Sequence, residues 1–376
     1  MLSYRIPFNR PCLVGNEFSY MMDCMRRGIT SGGGFYTKKC ETYLEKATGV
    51  RKALLTSSCT DALEMVAILL NIGPGDEVIL PSFTFVSTAN AFVLRGGRPV
   101  FCDIRADTLN VDERELEHLI SPRTKAIVPV HYAGVSCEMD TILEIAQRHG
   151  ISVVEDNAQG LFAKYRGQHL GTFGCLGTQS FHEAKNIHCG AGGALFINDT
   201  EYVERSEIVS EKGTDRRRFL RGEIEKYGWV DVGSSYMLAE ILAAFLYAQL
   251  EASERIQERR RSIWQYYYSH LQDWASEHDV KLPYVPKTCE PSYHMFYLVM
   301  PTVSQRNNLI QHLKSRSIVA ASHYMPLHLS NMGLRFGSDK CPVAEETADR
   351  LLRLPLYNDM NEKDQEFVVR SIREFR

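Results

Sequence analysis

The fold is first indicated by residues 62–82, "ALEMVAILLNIGPGDEVILPS". The apolar side chains of its first half fall on one helical face: Leu63, Val66, Ala67 and Leu70. This spacing predicts an amphipathic helix. Turn residues follow at 71–76, and "VIL" then predicts a short buried strand that stops before Ser82. A helix joined directly to a buried strand is typical of an α/β protein.

The same alternation continues further along the chain. "KAIVPVHYAG" predicts a strand, "TILEIAQRHG" a helix capped by Gly150, and "ISVVEDNAQ" a second strand. Strands separated by helices indicate a mostly parallel sheet with crossover helices. Ligands of such sheets bind beyond the carboxyl ends of the strands, so the polar residues at those ends are the candidates for function.

A different pattern begins near Leu238. Residues 238–274 are helical and charged, which is long for one helix in a compact domain and predicts a spine or connector. An apolar strand, "HMFYLVMP", and two further helical patterns follow. We therefore expect a large α/β domain over residues 1–245, and a connecting helix with a small α+β domain over 246–376.

Composition excludes several classes of protein. The chain has 376 residues, 44% of them hydrophobic, and a formal net charge of −3, which does not favour nucleic acid as a partner. No apolar stretch of roughly twenty residues occurs, so we expect no membrane span. The beginning, "MLSYRIPFNRPCLVG", lacks the apolar run of a secretory signal, and the ten cysteines have no disulfide-framework spacing. We expect reduced thiols and a cytoplasmic protein.

Two motifs are candidate ligand sites, the first for an anion and the second for a cation. Ser58, Cys59 and Thr60 precede the first predicted helix, where hydroxyls and free N–H groups can bind a phosphate. Ordinary helix capping is the alternative. Asp156 ends a predicted buried strand, where a carboxylate is costly without a cationic partner. It is either the cap of the next segment or the partner of a ligand such as a protonated pyridine nitrogen.

A third motif is the lysine of "SFHEAKNIHCGAGG", residues 180–193. Lys185 is either a surface charge or an amine of lowered pKa that bonds to an aldehyde. A metal site at His182, His188 and Cys189 lacks standard zinc spacing, so we expect none. The glycines do not complete a dinucleotide fingerprint, because the third one falls at Leu195. A phosphate site, a carboxylate and a lysine are together the three protein groups that bind pyridoxal 5′-phosphate (PLP) through its phosphate, ring nitrogen and aldehyde.

With these residues in place, the chain resembles the DegT/DnrJ/EryC1/StrS family of sugar aminotransferases. The resemblance covers nearly the whole length, from "IPFNRPCLVGNE" to "DRLLRLPLY". Its most specific pieces are "SSCTDALEM", "PSFTFVSTANAFVLRGGRPVFCDI", "VPVHYAG", "VVEDNAQ", "SFHEAKN" and "GSSYMLAEILAAFLYAQLE". It implies a type I PLP-dependent (aspartate aminotransferase-like) fold, and a homodimer with the active site at the subunit interface.

The resemblance also implies roles by position. Lys185 and Asp156 are the catalytic residues, the first bonding to the cofactor aldehyde and the second pairing with its ring nitrogen. Gln159 lies near the ring oxygen and Phe85 stacks on the ring. The positions that contact the phosphate are Ser58, Cys59, Thr60, Ser180 and, from the partner subunit, Ser235.

The sequence departs from the wider family at three positions. Many members have Gly at Cys59, where a backbone N–H donor survives the change. Many have Asn where this chain has Ser235. The serine side chain is shorter, which puts the phosphate contact in doubt. Most have "GEGG" where this chain has "GAGG", so a carboxylate is missing at Ala191, which bears on the sugar pocket.

The stretch "EKGTDRRRFLRGEIEKYGWVDVGSSY" is similar to members that aminate C4 of dTDP-4-keto-6-deoxyglucose, with L-glutamate as donor. Amination at C3, or of another nucleotide-linked keto-sugar, stays open, as does a non-catalytic PLP-fold binding or regulatory protein. A dehydratase, which has histidine in place of the lysine, is disfavoured by Lys185. Candidate sugar contacts are His182, His323 and Tyr324; His131, Tyr132 and the arginines at 216–218 and 221 are equally compatible with structural or solvated roles.

Overall fold

The computed structural model describes residues 5–337 and 339–375. Its α-helices are α1 Glu17–Arg27, α2 Phe35–Thr48, α3 Cys59–Leu69, α4 Val86–Val93, α5 Leu116–Leu119, α6 Met139–His149, α7 Val203–Ser210, α8 Arg216–Leu220, α9 Glu240–Glu251, α10 Ser253–Glu277, α11 Val303–Ser315, α12 Pro342–Arg350 and α13 Glu362–Arg373. Its strands are β1 Lys52–Thr56, β2 Glu77–Pro81, β3 Arg98–Cys102, β4 Thr124–Ile127, β5 Ser152–Asp156, β6 Lys164–Tyr165, β7 Gln168–His169, β8 Leu176–Ser180, β9 Gly193–Ile197, β10 Cys289–Glu290, β11 Phe296–Val299 and β12 Leu351–Leu354.

The main sheet has the strand order β1-β9-β8-β5-β4-β2-β3. Neighbouring strands from β8 to β3 are parallel, and β9 runs antiparallel to both β1 and β8. All five residues of β2, β8 and β9 are buried, as expected for a sheet covered on both faces. The predicted mostly parallel α/β fold is confirmed.

Helix α6 illustrates how local sequence fixes these elements. Its buried face is formed by Met139, Ile142 and Ile145, and it ends at Gly150 in the left-handed conformation, with φ of 65°. Glycine adopts that conformation without the steric cost of a Cβ atom. The predicted C-cap therefore lies where the sequence placed it, and the chain turns directly into β5.

The long charged stretch after Leu238 is two helices. Helices α9 and α10 meet at Ala252, whose backbone angles of −97° and 9° depart from a regular helix. The single helix considered for residues 238–274 is therefore interrupted. The predicted domain boundary after residue 245 falls within α9, and it stays a prediction.

A second layer contains the strand pair β11–β12 and the helices α10, α11 and α13. Its core is separate from that of the main sheet and includes Tyr267, Phe296, Leu309, Leu352 and Val368, each almost fully buried. Strand β12 then brings residues from near the end of the chain towards the carboxyl edge of the main sheet. No helix of the described residues is long and apolar enough to cross a membrane.

Candidate active site

The carboxyl end of β5 forms the floor of the site. Asp156, the last residue of β5, is 5% exposed. Its Oδ2 accepts a hydrogen bond from Thr88 Oγ1 at 2.7 Å, and its Oδ1 accepts one from the Ala158 backbone N–H at 3.1 Å. Both donors fix the orientation of the carboxylate. This buried carboxylate can pair with a cationic ligand atom, and its predicted strand-end position is observed.

The N-terminus of α3 forms the second part. Ser58 caps this helix, because its Oγ accepts from the Asp61 N–H at 3.0 Å, so ordinary capping is present. Thr60 Oγ1 lies 2.8 Å from Ser87 Oγ, and burial raises the pKa of the Cys59 thiol. The free N–H groups of this turn can bind an anion.

Gly193 of β9 lies directly against the backbone of that turn. A Cβ atom at Gly193 would lie 2.4 Å from the Cys59 backbone N and 2.6 Å from the Ser58 carbonyl O. Because β9 pairs with a strand on each side at this residue, only glycine lets the start of α3 lie so close to the sheet.

Lys185 lies in the loop between β8 and β9. Its backbone N–H donates to the His182 carbonyl at 2.8 Å, and no carboxylate of the described residues lies within 4.0 Å of its Nζ. Burial lowers the pKa of the Lys185 ammonium; Arg353 adds to this, whereas Cys59 and Asp156 oppose it. An amine that loses its proton more readily than an ordinary lysine can act as a nucleophile or base.

The loop of Lys185 is fixed by the next residue. The Asn186 side chain donates to the Ser292 carbonyl at 2.7 Å and to Gln257 Oε1 at 2.9 Å, and its Oδ1 lies 3.0 Å from His294 Nδ1. Burial holds the pKa of His294 well below its ordinary value, so the ring is neutral and donates through Nδ1–H. Helix α10 and the segment between β10 and β11 therefore hold Asn186, and with it the loop of the lysine, in place.

A cavity of about 10 Å³ lies between this loop and the end of β5, with room for about one water molecule. It is lined by Ser180, Lys185 and Gln159, among others. Gln159 Oε1 accepts from the Ala133 N–H at 2.7 Å, and its Nε2 donates to Tyr324 Oη at 3.3 Å. Three of the sequence-predicted residues, at 159, 180 and 185, therefore line one cavity, and Asp156 is close enough to influence the pKa of Lys185.

Aromatic side chains form the open side. Phe85, which precedes α4, is 56% exposed, and its ring centroid lies 6.4 Å from that of Tyr324. His323 stacks on Tyr324 at 3.7 Å and 15°, and its Nδ1 lies 3.2 Å from Tyr132 Oη. Burial lowers the pKa of His323 to about 2, so the ring is neutral. These two substrate candidates are brought to the site.

Two other predicted residues are exposed. His182 projects from the lysine loop, and its Nδ1 accepts from the Ala184 N–H at 3.3 Å. Ser235 is exposed on the surface, next to Tyr236, whose carbonyl accepts from the Ser57 N–H at 2.7 Å. Ser235 thus lies beside the start of α3 without reaching into it.

Other candidates from the sequence have structural roles. His131 Nε2 lies 2.9 Å from Glu155 Oε2, both side chains being fully buried, which makes a sugar contact impossible for this histidine. The arginines at 216–218 and 221 each pair with glutamates of neighbouring segments, which favours the structural alternative. In the described ranges, no group of three or more His, Cys, Asp or Glu side chains could hold a metal.

Sequence reasoning missed three contributors: Thr88, His294 and Arg353. Thr88 comes three residues after Phe85 on the first turn of α4, and that spacing was an available signal. His294 and Arg353 come from the second layer, and only its position against the sheet brings them near Lys185.

A family model described as the DegT/DnrJ/EryC1/StrS aminotransferase family matches residues 11–373. The chain belongs to this family. It is 32% identical over 373 residues to the GDP-perosamine synthase of Caulobacter vibrioides, which covers 98% of this chain and 97% of that protein. The resemblance to the family is thereby confirmed, and the protein is a sugar aminotransferase.

Solved structures of aminotransferases have the same fold as this chain. The aminotransferase TlmJ from Streptoalloteichus hindustanus superposes with a TM-score of 0.90 at 31% identity, covering 98% of each chain. The PLP-form of Spr1654 from Streptococcus pneumoniae does so with a TM-score of 0.90 at 26% identity, again over 98% of both chains, and a PMP-form has also been solved. The fold is that of the PLP-dependent aminotransferases, and PLP is the cofactor.

The residues present fit PLP. The start of α3, kept against Gly193, offers backbone donors to its phosphate. Asp156 is a buried carboxylate that can pair with a protonated ring nitrogen, and Lys185 makes no ion pair with a carboxylate in the part of the chain described. These are the donor, anion and amine that the cofactor requires.

Proposed function

We propose that the protein transfers the amino group of L-glutamate to C4 of dTDP-4-keto-6-deoxyglucose. The products are 2-oxoglutarate and dTDP-4-amino-4,6-dideoxygalactose. The observation that carries this proposal is the position of Lys185, an amine of lowered pKa that makes no ion pair within 4.0 Å among the described residues, in one site with the buried Asp156. Both half-reactions need such a pair.

PLP, when bound, supplies an aldehyde for amines and a ring that accepts the electrons of a carbanion. Lys185 would hold the cofactor through that aldehyde, and its amine, once free, would move a proton at the donor's α-carbon. Asp156 would pair with the ring nitrogen. Thr88 and the Ala158 N–H orient the Asp156 carboxylate. The same residues would act in reverse order on the keto-sugar.

The choice of nucleotide rests on one stretch of sequence. Residues 211–236 resemble those of enzymes acting on the dTDP-linked sugar, and this supports the choice of dTDP. A GDP-linked keto-sugar is the second candidate, because the Caulobacter relative is a GDP-perosamine synthase. A third candidate reaction is amination at C3 of the sugar instead of C4.

The visible absorption spectrum of the holoenzyme tests these proposals. L-Glutamate is expected to bleach the band of lysine-bound PLP, and dTDP-4-keto-6-deoxyglucose, added after glutamate is removed, is expected to restore it. Recovery only with a GDP-linked 4-keto-6-deoxy sugar would replace the acceptor. A PLP band that no amino donor bleaches would instead support a non-catalytic protein.

We also propose a C2 homodimer with the active site at the subunit interface. Phe18, Met22 and Met25 form an exposed apolar face on α1, and Trp229, whose backbone bridges to Thr214, is 82% exposed. Exposed patches of large apolar side chains, such as the one on α1, are typical of protein interfaces. Light scattering after size-exclusion chromatography is expected to give twice the chain mass of 42.8 kDa. A monomer with full activity would refute the shared site.

A further inference from the structure

A cleft of about 790 Å³, the α10 cleft, lies between the end of α2, the β6–β7 hairpin, the start of α10 and residues 285–293. Its volume is within the range of small-molecule sites. Gln257 lines the cleft and accepts a hydrogen bond from the Asn186 side chain at 2.9 Å, so the cleft adjoins the lysine loop. The described residues that line it include neither Lys185 nor Asp156, and the cleft is therefore separate from the active site.

Aromatic rings line the α10 cleft: Tyr43, Phe162, Trp264 and Tyr293. Trp264 stacks on Tyr268 with an interplanar angle of 10° and meets Tyr293 edge-on at 5.7 Å, so neighbouring rings hold it in place. Rings fixed in this way offer a ligand a large contact area at a small cost in conformational entropy.

Two of these rings stand on an unfavourable backbone conformation. Phe162 has φ of 65° and Tyr293 has φ of 53°, in the left-handed region where bulky side chains are rare. The Ala163 N–H donates to the Gly160 carbonyl at 2.9 Å, so Phe162 occupies the third position of a turn, where a positive φ favours glycine. Such strain is concentrated at ligand sites, and here it brings two aromatic rings to one cleft.

His169 brings an unused hydrogen-bonding atom to the cleft. Its Nδ1 is buried and has no hydrogen-bond partner among the described residues. Burial lowers the pKa of His169, and Lys164 adds to this, so the ring is neutral. A neutral imidazole nitrogen can form a hydrogen bond with a hydroxyl group of a ligand.

Carboxylates outnumber cations in the cleft. Lys164 pairs with Glu290 at 3.6 Å, and Arg261 pairs with Glu258 at 3.8 Å. Glu254, in the first turn of α10, makes no ion pair within the described ranges, and the helix N-terminus favours its charged form. The unmatched charge is negative, which disfavours phosphates and favours a ligand with a positive charge.

We propose that the α10 cleft is a second ligand site, which binds a hexopyranose ring that carries an ammonium group. The carbon–hydrogen faces of a pyranose ring pack on aromatic side chains, and its hydroxyls need neutral partners such as His169. Glu254 would supply the partner of the ammonium. The inference goes beyond the proposed reaction and does not depend on it, because the roles proposed for Lys185 and Asp156 involve no residue of this cleft.

The test measures binding by calorimetry to holoenzyme treated with borohydride, which leaves no aldehyde for an amine to react with. Two probes, methyl 2-amino-2-deoxy-α-D-galactopyranoside and methyl α-D-galactopyranoside, differ only by an ammonium in place of a hydroxyl. Cyclohexylamine is the third probe, because it has the charge and a saturated ring but no hydroxyls. Each titration is repeated with saturating dTDP and GDP, which are expected to leave binding unchanged.

We expect the amino sugar to bind with a Kd of about 1 mM, and the other two probes about tenfold more weakly. Phe162→Gly is expected to weaken both sugars about tenfold. Asp279→Gly is its matched control, because Asp279 has φ of 52° and is exposed outside the cleft. Glu254→Gln is expected to abolish the preference for the amino sugar, whereas Glu277→Gln, on the same helix outside the cleft, is expected to keep it.

Failure of both glycosides to bind below about 50 mM would overturn the proposal. Displacement by dTDP or GDP would also overturn it and assign the binding to the active site. Cyclohexylamine that binds as tightly as the amino sugar would exclude a sugar site, and a preference that survives in Glu254→Gln would exclude the ammonium contact. If Phe162→Gly does not fold, the Glu254→Gln and Glu277→Gln pair still decides the outcome.

Discussion

Gly193→Ala is the most direct test of how the phosphate turn is built. The added methyl group would lie 2.4 Å from the Cys59 backbone N, where contacts below 3.0 Å are essentially never seen. The strand cannot yield, because Gly193 pairs with Thr56 on one side and Ser180 on the other. The start of α3 must therefore move, from 2.4 Å to at least 3.0 Å, which is a displacement of about 0.6 Å.

Such a shift misaligns the N–H groups that receive the phosphate. A hydrogen bond to a charged group is worth about 1.5–3 kcal/mol, so loss of one N–H contact to the phosphate is expected to raise the Kd for PLP roughly 10- to 100-fold. Tryptophan fluorescence and visible absorption during titration of the apoprotein with PLP measure this. The binding of inorganic phosphate, measured by its competition with PLP, is expected to weaken by a similar factor.

Gly190→Ala is the control for general damage. Its added Cβ would meet nothing within 4 Å, but Gly190 has φ of +85°, so alanine there introduces backbone strain without touching α3. We expect that variant to lose about 1 kcal/mol of stability and to bind PLP nearly as the wild type does. A Gly193→Ala protein that binds PLP within twofold of the wild type would refute the reasoning.

Three further predictions concern the floor of the site. Lys185→Met should make the apoprotein more stable than the wild type, by an amount that shrinks as pH rises. Between the lowered pKa of Lys185 and its ordinary 10.5, the unfolded wild-type chain binds a proton that the folded chain does not, so the free energy of unfolding of the wild type rises with pH. Urea unfolding from about pH 7 to 10 tests this, and a stability difference that does not change with pH would contradict it. Asp156→Asn is expected to lower kcat about 100-fold and Thr88→Val about tenfold, since the latter removes one hydrogen bond to the carboxylate; equal effects would argue against an electrostatic role. Glu155→Gln is expected to cost about 3 kcal/mol, because Glu155 accepts bonds from three backbone N–H groups as well as contacting His131; thermal unfolding close to that of the wild type would be the contrary result.

Much of the fold could be predicted because its signals are local. The helical spacing of 63–70, the apolar strands and the glycine after α6 each depend on residues within a few positions. The interruption of the long helix at Ala252 could not be predicted in this way. Ala252 is a good helix former, so the break reflects how α9 and α10 pack on different parts of the molecule.

The sequence by itself determined the alternating α/β order and the strand-end position of Asp156. It also indicated a lysine in a glycine-rich loop, since these depend on chain neighbours and on the rule that ligands bind at carboxyl ends. Only the tertiary structure decided what surrounds those residues. It made His131 a buried partner of Glu155 and paired the arginine run with glutamates. It also carried Arg353, 168 positions beyond Lys185, to the same site. Burial and charge depend on packing between distant segments, and sequence spacing holds no record of that packing.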